Sequence, residues 1–203
     1  MKERIAARNP RLWNGEVLIC TSAAVDEQLL TARFAVTDYA SFVAWRDWGW
    51  PDRSVANCFG APAIFSSDGA LVFGVMAAHT LNAGLAYPPS GSLEPRDVRA
   101  GGTVDVLGSL AAELHEEAGL DATAAEQGGM MAIFDGQRLA IVQELRFSMP
   151  FSAMEAGFRS HTAVEQAPEL SHLEAIRSVS QIDSRMPGFA QEIVRYYFGG
   201  HGQ

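Results

Sequence analysis

The chain has 203 residues with a formal net charge of -9, and 48% of its residues are hydrophobic against 19% charged. This composition excludes a disordered chain, allows one sizeable core and argues against nucleic acid as a partner, because both molecules would be negatively charged. Two cysteines exclude a disulfide-dense scaffold, and the lack of a signal-like or membrane-length apolar run predicts a cytoplasmic protein without a membrane partner.

The first part of the chain predicts two strands followed by a short helix. Residues 15–22 and 29–36 have the composition of strands, and Asp38 offers an N-cap for the helix that follows. The aromatic side chains of this helix indicate packing or a subunit contact rather than a ligand site. A subunit contact here would be consistent with a homodimer. We expect residues 1–55 to form a strand-and-helix extension within a single domain over 1–203.

The rest of the chain mixes strands with helices. In chain order we predict a hairpin over 62–77, a Pro- and Gly-rich loop over 82–102, a helix over 104–118, a hairpin over 130–147, a helix after Pro150, a strand over 173–179 and a last helix from Pro187. Both hairpins turn at an Asp-Gly pair, which favours tight turns. The fold class is therefore α/β or α+β, with at least one antiparallel hairpin in the sheet.

The helix over 104–118 carries three glutamates and three leucines on different faces. Leu107, Leu110 and Leu114 repeat at helical spacing and predict the buried face. Glu116 and Glu117 lie about 60° and 40° to either side of Glu113, so the three carboxylates can converge. Their repulsion can be relieved by water or by a divalent cation, and the triplet alone leaves both interpretations open.

Together with the loop before it, this helix resembles the Nudix box. That box reads Gly, five residues, Glu, seven residues, then Arg-Glu-U-x-Glu-Glu-x-Gly-U, where U is aliphatic. Gly91 matches the opening glycine and residues 112–120 match the closing half. Asp97 stands for the first glutamate, Ala112 stands for the arginine that orients the glutamates in the family, and fourteen residues (98–111) stand where seven are usual.

Resemblance to the Nudix hydrolases implies an α/β/α sandwich with a mixed sheet and an enzyme that hydrolyses a diphosphate linkage in a small nucleoside diphosphate derivative. It implies Mg²⁺ or Mn²⁺ as cofactor, with Glu113, Glu116 and Glu117 as metal ligands. Glu116 and Glu117 would also be catalytic, and Glu169 is our candidate for the general base. Glu165, in the same loop, is an alternative base, and either loop carboxylate can equally be a solvated surface residue.

Three further points stay open at the level of sequence. Glu94, in the box loop, is interpreted either as a helper of the metal or as a solvated side chain, and His115 as a surface residue. The strand-and-helix extension is similar to that of Nudix enzymes acting on nucleotide sugars, so a nucleotide sugar or a coenzyme A type substrate is expected. The alternative is a Nudix-like domain that binds such a compound without cleaving it.

Overall fold

The computed structural model describes residues 14–200, and these form a mixed α/β fold, which confirms the predicted class. The strands are β1 (Glu16–Asp26), β2 (Leu29–Asp38), β3 (Asn57–Phe65), β4 (Leu71–Met76), β5 (Ala86–Tyr87), β6 (Glu126–Asp135), β7 (Arg138–Arg146) and β8 (Leu170–Ile176). The α-helices are α1 (Tyr39–Asp47), α2 (Val106–Ala118), α3 (Phe151–Thr162) and α4 (Gly188–Phe198). Single 3₁₀ turns cover Pro95–Asp97, Ala122–Ala124 and Val179–Gln181.

Six strands form one mixed sheet, in the order β5-β4-β3-β7-β6, with β8 along the other edge of β4. β3 and β7 run parallel, and the remaining pairs are antiparallel. The predicted hairpin over 62–77 forms, but β3 and β4 pair only beside their turn, where Ile64 faces Val72 and Phe65 faces Leu71. Beyond these positions β5 takes the place of β3 along β4, so the sheet opens between β3 and β4.

Helices cover both faces of this sheet. Gly60 of β3 lets α2 approach closely, since a Cβ there would lie 2.8 Å from the Leu110 Cβ and 2.9 Å from the Val106 carbonyl oxygen. The neighbouring residue Phe59 packs edge-to-face on Phe189 of α4, with ring centroids 5.0 Å apart. Because successive residues of a strand point to opposite faces, α2 and α4 lie on opposite sides of β3, as expected for an α/β/α sandwich.

The strands β1 and β2 form a separate two-stranded ribbon, close to the predicted segments. The ribbon is attached to the main sheet by a bridge between Cys20 and Ala56, and by the Leu18 N–H, which donates to the Leu93 carbonyl at 2.7 Å. Cys20 and Cys58 are free, buried thiols in one apolar cluster. The assignment of 1–55 as an extension of a single domain stays a prediction.

The helix α1 begins where the sequence predicted. Asp38 is its N-cap, and the carboxylate accepts from the Ser41 N–H at 3.0 Å. Trp45 packs edge-to-face on Trp50, with ring centroids 4.3 Å apart, whereas Trp48 remains 60% exposed. No helix within residues 14–200 is long and apolar enough to cross a membrane.

Candidate active site

The helix α2 carries the three glutamates between two well-defined ends. Asp105 caps its N-terminus and accepts from the Gly108 N–H at 2.9 Å, and Gly119 ends it in the left-handed conformation, with φ of 68°. Leu110 and Leu114 are buried, as predicted. Leu107 was predicted to be buried with them but is 39% exposed, because it lines an open groove instead of the core.

The extra residues of the box form one small excursion over 98–104. The Asp105 N–H donates to the Asp97 carbonyl at 2.8 Å, and the first and last residues of the excursion pair as an antiparallel bridge. Leaving out 98–104 places the seven residues 105–111 between Asp97 and Ala112. The predicted longer loop is therefore an insertion directly after Asp97, and the remaining chain has the spacing of the box.

Glu117 is the most buried carboxylate of α2. The residue is 9% exposed and its Oε2 atom has no hydrogen-bond partner, whereas the backbone N–H of Ser90 donates to the carboxylate. Burial raises the pKa of Glu117 well above its ordinary value, and the negative charges of Glu113 and Glu169 raise it further. A buried carboxylate with an unpartnered oxygen costs free energy unless a cation or a proton neutralises it.

Glu113 lies next to Glu117 in a similar environment. Its side chain is 14% exposed, and burial, followed by the charge of Glu116, raises its pKa to about 7. A Cβ at Gly91 would overlap the Glu113 carboxylate, so the opening glycine of the box leaves the space that this carboxylate fills. Gly91 thus has a steric reason to be glycine.

Glu116 differs from these two glutamates in its exposure, although its negative charge also raises their pKa values. Its side chain is exposed, and its carbonyl accepts from the ring nitrogen of His161 at 2.9 Å. Among residues 14–200, no three Asp, Glu, His or Cys side chains are grouped so that they could hold one metal ion. The structure therefore brings Glu113 and Glu117 together but does not converge all three glutamates. His115 is exposed, as its interpretation as a surface residue predicted.

Glu169 lies beside the buried pair. It comes directly before β8, its side chain is exposed, and its negative charge raises the pKa values of both Glu113 and Glu117. Glu165 instead contacts His161, with 3.3 Å between His161 Nε2 and Glu165 Oε1. Of the two loop carboxylates that the sequence offered, the preferred one is near the box glutamates, and its role as a base stays a prediction.

Arg96 is the residue of this site that the sequence reasoning missed. Its Nη2 atom lies 3.6 Å from Glu113 Oε1 and its Nε atom lies 3.3 Å from Glu94 Oε2. Glu94 therefore contacts an arginine at the edge of the site and is not simply solvated. A signal was present in the sequence, since an arginine inside the box loop accompanies the loss of the arginine at Ala112.

A large open groove lies away from these carboxylates. It has a volume of about 1420 Å³ and is lined by the β1–β2 ribbon, the excursion over 98–104, the start of α2 and the exposed face of β6. None of Glu113, Glu116 and Glu117 lines it. The groove and the glutamates of α2 are thus at two different places on the molecule.

No protein-family model matches the chain, and no curated protein matches it. Several solved structures are similar to it. DR0079 from Deinococcus radiodurans is 16% identical, with a TM-score of 0.47 over 68% of this chain and 81% of that one. RenU, a Nudix hydrolase from M. smegmatis, is 15% identical, with a TM-score of 0.44 over 69% and 81%. The NUDIX domain of Shewanella oneidensis NrtR, solved with ADP ribose, is 11% identical, with a TM-score of 0.46 over 78% and 96%.

Two of these three descriptions name the superfamily whose box the sequence resembles, so Nudix proteins are among the solved structures similar to this chain. The identities of 11–16% and TM-scores below 0.5 carry no conclusion about activity or ligands.

Proposed function

We propose that this chain is a Nudix-type hydrolase that cleaves a diphosphate linkage in a small nucleoside diphosphate derivative with the help of Mg²⁺ or Mn²⁺. The observation that carries the proposal is the buried carboxylate of Glu117, with its unpartnered Oε2, beside the raised-pKa carboxylate of Glu113. Both residues occupy glutamate positions of the box once the insertion over 98–104 is set aside. A pair of glutamates with raised pKa values is a candidate functional site, and a bound cation would stabilise their ionised forms.

The residues present fit a divalent cation. Carboxylate oxygens are the ligands that Mg²⁺ and Mn²⁺ prefer, and Mg²⁺ is usually held by one or two carboxylates together with substrate phosphates and water. Glu113 and Glu117 supply two carboxylates, and the exposed Glu116, which follows Glu113 by one turn of α2, is the candidate for a third. Such a cation would neutralise charge on the diphosphate and acidify a bound water.

The chain's own residues would supply the rest of the reaction. Glu169 is exposed and its charge acts on both Glu113 and Glu117, which supports its proposed role as the base that takes a proton from an attacking water. The backbone N–H of Ser90 and the space beside Gly91 keep Glu117 and Glu113 on the side of α2 that faces the box loop. We assign Glu116 and Glu117 together with Glu169 as the catalytic candidates and Glu113, Glu116 and Glu117 as the metal candidates.

The test is a substrate screen with Mg²⁺ or Mn²⁺ over nucleotide sugars, dinucleoside polyphosphates, coenzyme A and nucleoside triphosphates. UDP-glucose and ADP-ribose serve as the nucleotide sugars. Cleavage of a nucleotide sugar should give a nucleoside monophosphate and a sugar phosphate, because a cation on the diphosphate stabilises an anhydride oxygen as the leaving group. In ¹⁸O-water the label should appear on a phosphorus-bearing product. Label on the anomeric carbon would contradict the assignment.

A second candidate function is binding without cleavage. Ala112 lacks the side chain that orients the glutamates in the family, and Glu116 does not join the buried pair, which are the two observations in its favour. Tight binding of one compound in calorimetry, without turnover across the whole screen, would select this candidate. A cytoplasmic location and a homodimer remain expectations from the sequence.

A further inference from the structure

The arginine that the box lacks at position 112 has a counterpart in the loop. Arg96 stands between Glu94 and Glu113, with N···O distances of 3.3 Å and 3.6 Å. Of the groups that shift the pKa of Glu113 by their charge, Arg96 alone lowers it, whereas Glu116, Glu169 and Glu94 raise it. Among those groups Arg96 is thus the one positive charge facing Glu113.

The backbone around Arg96 is held in place on both sides. The Asp97 side chain accepts from the Glu94 N–H at 2.8 Å, which closes the turn that carries Arg96. The Asp97 carbonyl accepts from the Asp105 N–H at 2.8 Å, which ties the same turn to the N-cap of α2. Arg96 is therefore presented to α2 by a fixed loop, although its side chain is 53% exposed.

The Glu113 carboxylate is enclosed from two directions. Gly91 leaves it space on one side, where any Cβ would overlap it, and the Arg96 guanidinium faces it from the loop. A guanidinium has a rigid fork of donors and can contact two carboxylates at once, which an ammonium cannot do in the same geometry. The contacts to Glu94 and Glu113 use this property.

We propose that Arg96 is a positioning residue that holds Glu113 in place of the missing box arginine, so that this role has moved from the helix to the loop. The inference rests on the proposed function, because Glu113 matters in this way only if it is a ligand. On this view, the alanine at position 112 means that the arginine contact to Glu113 has moved to the loop, and not that the site has been lost.

A cycle of four proteins tests this inference: the wild type, Arg96→Lys, Glu113→Gln and the double variant. Arg96→Lys keeps the charge and removes the fork, so a change in Mn²⁺ affinity reports geometry and not charge. We expect about tenfold weaker Mn²⁺ binding in calorimetric titration, as for other residues that orient a metal ligand. In the Glu113→Gln background the same substitution should have no further effect.

Two comparisons sharpen the result. Arg195→Lys, at an exposed arginine of α4 that pairs with Glu192, is the matched control and should bind Mn²⁺ like the wild type. Arg96→Ala should bind Mn²⁺ more weakly than the wild type. The variant Arg96→Ala/Ala112→Arg keeps the wild-type net charge and returns a guanidinium to the box position, so it should recover most of the Mn²⁺ affinity that Arg96→Ala loses. Wild-type affinity in Arg96→Lys, or an equal loss in the Glu113→Gln background, would overturn the inference.

Thermal unfolding without metal separates this inference from the proposed function. A wild type that binds no Mn²⁺ would overturn the proposed function. The contact itself is tested by metal-free melting at pH 8, where the Glu113 carboxylate is ionised. Arg96→Ala should lower the melting temperature by a few degrees in the wild type and by less in the Glu113→Gln background, where only the contact with Glu94 is lost. Equal lowering in both backgrounds would show that Arg96 does not act through Glu113.

Discussion

Asp97 and Asp105 are eight positions apart in the chain, yet the N–H of Asp105 donates to the carbonyl of Asp97 at 2.8 Å. The residues between them turn back on themselves, with the Arg99 N–H donating to the Thr103 carbonyl at 2.8 Å and with Gly101 and Gly102 at positive φ. The excursion is therefore a small hairpin closed at its base. It lengthens the box in sequence without separating its two halves in space.

Deleting residues 98–104 should leave the fold and the metal response of the protein in place. The ends of the excursion already touch, and shortening a closed surface loop changes the chain entropy by only about 1 kcal/mol. The variant should show one cooperative melting transition and a Mn²⁺-induced rise in melting temperature like that of the wild type. Deletion of 105–111, which removes the first two turns of α2, is the size-matched control and should not fold.

The metal-free protein should lose stability as the pH rises from about 4.5 to 7. In this range the unfolded chain ionises Glu113, whereas burial keeps the carboxyl protonated in the folded state, where its pKa is about 7. Unfolding then releases a proton, and the loss amounts to at most about 3 kcal/mol. Glu113→Gln should flatten this dependence in urea unfolding with EDTA at pH 5 and pH 8.

Glu192→Gln, at an exposed glutamate of α4, is the control for that pH dependence and should leave its slope unchanged. Buried Glu117 should contribute in the same direction, so Glu117→Gln should stabilise the metal-free protein most at high pH. A wild-type slope in Glu113→Gln would contradict the burial that we ascribe to this carboxylate.

The two adjacent glutamates of α2 should differ in their effect on metal binding. Mn²⁺ or Mg²⁺ at 100 times the dissociation constant should stabilise the wild type by about 2.7 kcal/mol through mass action. Glu117→Gln should remove most of the resulting rise in melting temperature, because Glu117 is buried beside Glu113, whereas Glu116→Gln should remove less. An unchanged metal response in the double variant Glu116→Gln/Glu117→Gln would mean that these carboxylates are only a charged surface.

Gly91→Ala should weaken metal binding without unfolding the protein. The three atoms nearest to the added methyl group all belong to the Glu113 carboxylate, the mobile end of a side chain, so the carboxylate should move and the backbone should not. We expect about tenfold weaker Mn²⁺ binding in calorimetry, as for the loss of a residue that orients a ligand. Gly129→Ala, where a Cβ meets no atom within 4 Å, is the control. Loss of folding in Gly91→Ala would contradict this account.

Periodicity and turn chemistry predicted most of the elements, because those signals are local. Asp38 caps α1, Asp135-Gly136 turns the β6–β7 hairpin and Gly119 ends α2. The site was less predictable, since its geometry depends on residues far apart in the chain. Helical spacing alone places three glutamates on one face, but packing against the box loop buries Glu117, partly covers Glu113 and leaves Glu116 in solvent.

The short contact between β3 and β4 has a mechanical consequence for the site. The carboxylates of Glu113 and Glu117 are carried by α2, which packs on β3, whereas Glu169 precedes β8, which pairs with β4 along its length. Two pairs of residues beside the turn join these halves directly, Ile64 with Val72 and Phe65 with Leu71. A core substitution at this seam is therefore expected to move Glu169 relative to Glu113 and Glu117 without touching any of the three carboxylates.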